Sequence, residues 1–166
     1  MAEFSERAKL MYVGTVGAPG EREFFLQILF GKRIISLALE KGQASALAEK
    51  ILQIAKDLGL NTRRESISVP PLEMPIDPEF SIGVISISWI PNERTLQFSI
   101  EAITDESDLS EAANVKFEYP IEESIYFALG ALQIVASGRQ PCLFCGGPIN
   151  VDGHLCPRAN GYRRQS

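Results

Sequence analysis

Two stretches of this chain, 72 to 80 residues apart, set out the same elements in the same order, and that parallel constrains the fold more than any other feature. "PGER" at 19–22 is met by "PNER" at 91–94. Beyond each turn a strand alternates its apolar residues: Phe24, Leu26 and Ile28 in the first, Leu96, Phe98 and Ile100 in the second. Period 2 is the mark of a half-buried strand. At an offset of 80, Ile35, Leu37 and Leu39 fall on Val115, Phe117 and Tyr119, and "LQIA" at 52–55 falls on "LQIV" at 132–135. The extra residues of the second stretch are the acidic run "DESDLSEA" at 105–112, which reads as a surface loop.

Each stretch opens on a further strand, "MYVGTVGAP" or "SIGVISISW", and closes on a helix. In "GQASALAEKILQIAKDLGL", Leu47, Ile51, Ile54 and Leu58 share one stripe and Gly59 suits the stop. "EESIYFALGALQIVASG" is the second helix. One βββα unit alone has too few neighbours to bury its sheet and its helix, whereas two units can share a core. The expected fold is therefore α+β: two duplicated βββα units forming a mainly antiparallel sheet covered on one side by two helices. This body takes residues 1–138, with repeat one at about 8–60 and repeat two at about 81–137. Residues 61–80 between them carry Pro70, Pro71, Pro75 and Pro78 and read as an extended connector.

The remainder, 139–166, has a different chemistry. All three cysteines and the single histidine of the chain fall within positions 142–156. Cys142, Cys145, His154 and Cys156 follow the pattern C-x(2)-C-x(8)-H-x-C, with Gly146-Gly147 and Asp152-Gly153 supplying turns. Three thiolates and an imidazole suit tetrahedral zinc. Asp152 is the alternative to His154 as fourth ligand, since positions i and i+2 reach one ion only if the loop bends. A closed four-ligand site leaves no position for water or substrate, so the metal would order the segment without catalysing anything. It would also use the histidine that a Ser-His or Cys-His nucleophile pair needs. A redox dithiol at Cys142–Cys145 is a further alternative, although such pairs normally begin a helix, and Gly-Gly-Pro does not.

Charge divides the same way. From Ser137 onward Arg139, Arg158, Arg163 and Arg164 face one acid, Asp152; this sum of +3 leaves −8 for residues 1–136 of the chain's −5. The body should repel nucleic acid while the tail attracts anions. Arg158, Tyr162, Arg163 and Arg164 form a candidate contact to nucleic acid or a phosphate-bearing ligand, by bidentate guanidinium bonds and aromatic stacking. The same arginines could instead dock on Asp105, Glu106, Asp108 and Glu111, or only meet solvent. No stretch approaches the roughly 18 uninterrupted apolar residues of a membrane span, and the N-terminus has no signal-peptide core, so a cytoplasmic, membrane-free location is expected. An odd cysteine count also argues against a disulfide framework.

"CLFCGGPINVDGHLCPRANGYRR", with "GTVGAPGEREFFLQ" and "LALEKGQASALAEKI", resembles a family of uncharacterised bacterial proteins, mainly actinobacterial, that form a domain of unknown function. Members end in a cysteine knuckle followed by "CPRANGYRR"; Leu143 stands here where that knuckle often has proline. The resemblance implies no activity. Function is thus expected to be non-catalytic binding, with zinc as cofactor and a protein or nucleic acid as partner. The alternatives are an enzyme using Glu101, Glu122 and Glu123 with arginine or an open zinc site, and a CxxC redox protein.

Overall fold

The computed structural model describes residues 6–18, 20–104 and 113–137. They form seven strands and two helices in the order β1 (Glu6–Arg7), β2 (Leu10–Val16), β3 (Glu23–Phe30), β4 (Arg33–Leu39), α1 (Lys41–Asp57), β5 (Phe80–Ile90), β6 (Thr95–Ala102), β7 (Asn114–Pro120) and α2 (Ile121–Ala136). The α+β class and the mainly antiparallel sheet are as expected. The element positions fit the alternation and the helical stripes read from the sequence.

Expected as one face for two helices, the sheet instead returns on itself. Its order is β1-β7-β6-β5-β4-β3-β2, and its first and last members are separated by only Ala8 and Lys9. The Ala8 amide donates to Glu118 of β7 at 2.9 Å, while the next amide, Lys9, donates to Leu29 of β3 at 2.7 Å. Residues 6–16 thus change partners midway and close the ring. β5 does the same: Phe80 and Ser81 lie parallel to Leu37 and Ala38 of β4, then residues from Ile82 onward pair antiparallel with β6. The change falls at a bulge on Gly83, where a Cβ would sit 3.0 Å from the Ala102 carbonyl. Glycine fits that close approach of two backbones. Parallel pairing of β1 with β7 (Glu6 opposite Phe117) and of β4 with β5 was not legible in the alternation.

Alternation then sorts the side chains. Cross-strand rows Val13–Leu26–Leu37 and Ile87–Phe98–Phe117 face inward. Leu26, Leu37, Phe98 and Phe117 are fully buried and join one core with Leu47, Ile51, Ile125 and Phe127 of the helices. Each such side chain contributes about 1.5–3 kcal/mol of apolar transfer. Phe98 stacks on Phe117 at 5.0 Å, and Phe30 meets Phe117 edge-on at 5.8 Å, joining β3 to β7 across the closure. The helices pack on each other, with Ala44, Ala48, Ala128, Gly130 and Ala131 among their buried residues.

Polar side chains fasten the helix ends. Gln43 accepts from the Glu40 amide at 2.7 Å and donates to the Ile82 carbonyl at 2.9 Å, completing a capping box and tying α1 to β5. Gly59, at φ +77°, ends α1 in the left-handed region where the sequence placed its stop. Arg22 donates to the carbonyls of Ile134 at 3.2 Å and Val135 at 3.4 Å, neutralising the C-terminal end of α2. Among the described residues no helix is long and apolar enough to cross a membrane.

Candidate functional site

Residues 61–79 have no regular secondary structure, as the prolines require, yet they are fixed along their length. Beside α2, Tyr126 accepts from the Ser68 amide at 2.7 Å and donates to the Ser68 carbonyl at 3.3 Å. Val69 lies against Gly130 so closely that a Cβ there would be 3.0 Å from its methyl. Farther on, Leu72 covers Gly14 of β2, where a Cβ would stand 2.4 Å from the leucine Cγ. A glycine inside a strand marks such an approach.

Gln27 anchors the next residue. Its amide NH2 donates to the Glu73 carbonyl and to Ser36 Oγ, both at 3.0 Å. Its Oε1 accepts from the Glu73 amide and from the Tyr12 hydroxyl, both at 2.8 Å. Gln27 is buried with all four hydrogen-bonding positions filled, so it holds the connector on the outer face of β2–β4.

Where the connector bridges β2 and α2 it roofs a cavity of about 150 Å³. The walls are Leu10, Met11, Val13, Phe127 and Ala131, and the roof is Val69 and Pro70. Glu123 and Tyr126 stand on its border and also border a wider, open cleft of about 460 Å³ with Asn61, Arg64 and Glu122. Arg64 pairs with Glu122 at 2.9 Å and Arg94 approaches it at 3.6 Å. Tyr119, also on the cavity wall, has its hydroxyl pushed up to about 12, first by burial; a hydrogen bond from the Met11 backbone lowers it and the Glu123 charge raises it.

Of the carboxylates singled out in the sequence, Glu122 and Glu123 share the first turn of α2, whereas Glu101 lies on β6 opposite Asn114 and borders neither space. Cys142, Cys145, Asp152, His154, Cys156, Arg158, Tyr162, Arg163 and Arg164 lie outside the described residues, as do Asp105, Glu106, Asp108 and Glu111. Among the described residues no group of three or more His, Cys, Asp or Glu is placed to hold a metal ion. Sequence reasoning missed the cavity and the Gln27 network. Gly14 within a strand and Gln27 within "FFLQILF" were the available signals.

An α+β protein with a ring of strands, a helix pair and a connector-roofed cavity is the class these elements define. The chain belongs to the family described as "Protein of unknown function (DUF3090)", whose model matches residues 3–156. The match takes in the whole described body and ends on Cys156, so all four candidate zinc ligands fall inside it. No curated protein and no solved structure matches the chain.

Proposed function

We propose a non-catalytic binding protein in which one zinc ion, held by Cys142, Cys145, His154 and Cys156, orders the C-terminal segment. That segment presents Arg158, Tyr162, Arg163 and Arg164 to nucleic acid or another phosphate-bearing partner. The observation carrying this reading is the C-x(2)-C-x(8)-H-x-C spacing, which gathers every cysteine and histidine of the chain within the family's matched stretch. Thiolate and imidazole donors suit zinc, which supplies about 10–16 kcal/mol of apparent ordering energy in comparable small modules. Zinc content by mass spectrometry of the purified chain should give one ion per chain, and Cys145→Ser should lose it. Metal-free wild type would remove the reading. With zinc bound, an electrophoretic shift with mixed DNA and RNA should fade with salt, at a slope matching about three phosphate contacts. The triple variant Arg158→Ala, Arg163→Ala, Arg164→Ala should abolish the shift.

The body, in this reading, is a duplication. Support comes from register: the row Val13–Leu26–Leu37 matches Ile87–Phe98–Phe117, and β1 meets β7 where β5 meets β4. Three cysteines, an odd number that a disulfide framework would leave with one unpaired, fit a reducing, cytoplasmic site of action.

A further inference from the structure

We propose that the cavity between β2 and α2 binds a small apolar molecule bearing a primary ammonium group. A cavity of about 150 Å³ with apolar walls has the size of those that stay dry and accept a benzene-sized body. Met11, Val13, Phe127 and Ala131 supply such walls here, under the Val69–Pro70 roof. One end borders the open cleft, so a bound molecule can bury its apolar part and keep a polar group at the boundary.

The sign of that group follows from the two adjacent glutamates. Glu122 is already met by Arg64 and Arg94, at 2.9 and 3.6 Å. Glu123, the one that borders both spaces, has no cationic partner among the described residues. Its negative charge stands at the entrance to an apolar chamber, where it attracts a cation and repels an anion on the modest scale of a solvent-accessible charge. Its field reaches the Tyr119 hydroxyl on the cavity wall, though burial is the larger influence there. Tyr126 completes the entrance, and its hydroxyl is engaged with Ser68, which fixes the roof beside the opening.

Titration calorimetry of the full chain with benzylammonium, benzyl alcohol and benzoate tests this at low ionic strength. Benzylammonium should bind about fivefold more tightly than benzyl alcohol, the scale of one solvent-accessible charge pair. Benzoate should bind more weakly than either. In Glu123→Gln, an exposed position, the ammonium should fall to the level of the alcohol. Ala131→Leu, which fills the chamber, should abolish binding of both; should that variant fail to fold, Val69→Phe from the roof replaces it with the same expectation. Equal affinity of the cation and the alcohol in wild type, no saturable binding of the cation, or binding of the cation unchanged in Glu123→Gln would each overturn the proposal.

Discussion

The two outer faces of the ring share a register and almost nothing else. On β2–β4 the outward rows are Tyr12–Gln27–Ser36 and Gly14–Phe25–Ala38. The matching rows on β5–β7 are Ser86–Ser99–Lys116 and Ser88–Gln97–Glu118. The first set is largely buried beneath the connector; the second is half-buried or exposed. Inward rows, by contrast, are apolar on both sides and fully buried at Leu26, Leu37, Phe98 and Phe117. One backbone frame thus carries two surfaces, and side-chain chemistry decides which surface holds a connector. On the first face a glycine admits Leu72 and a glutamine captures a peptide unit of the connector.

The largest effect should come where the halves are alike. Phe98→Ala and Leu26→Ala should cost about 3–5 and 2–5 kcal/mol in urea unfolding. Each should shift a single transition, because both residues belong to one core. Two separated transitions would break the halves into independent units. A smaller effect should separate the outer faces. Gln27→Leu strands the Glu73 amide and carbonyl and should cost about 2–3 kcal/mol. Its counterpart Ser99→Ala should stay within about 0.5 kcal/mol. Equal costs would mean that the connector does not depend on its anchor.

Smallest, and confined to alkali, is a titration effect. Burial raises the hydroxyl pKa of Tyr12, with a lesser contribution from Glu73, and that of Tyr119 to about 12. Below pH about 10 the folded and unfolded chains both keep these protons, and stability does not change on their account. Between about pH 10 and 12 the unfolded chain releases protons that the folded chain retains, so stability falls as pH rises. Thermal melts should show that fall, and Tyr119→Phe should make it shallower. No second-half outer residue matches Tyr12, since its counterpart is Ser86.

What could be read in advance follows the kind of force involved. Period 2 in "FFLQIL" and "LQFSIEA" and the helical stripe of Leu47 and Ile51 report burial on one face, so strands, helices and core residues were legible. Closure was not, because Ala8 and Lys9 achieve it with backbone amides, which carry no side-chain signature. The cavity depends on how far Val69 and Pro70 stand from β2, a distance set by Gly130 and Tyr126 together. Glu122 and Glu123 were picked out as common acids; their different surroundings come from Arg64 and Arg94, which are distant in sequence. The cysteines and His154 were conspicuous from residue type and spacing alone, and they lie outside the described residues.

Closure through Ala8 and Lys9 also bears on the order of events at the ribosome. Glu6 and Arg7 emerge long before their partners, Phe117 and Glu118. Until β7 has left the exit tunnel, β1 has no strand to zip against. Completion of the ring is therefore a late, long-range step, of the kind whose loop-closure entropy slows folding.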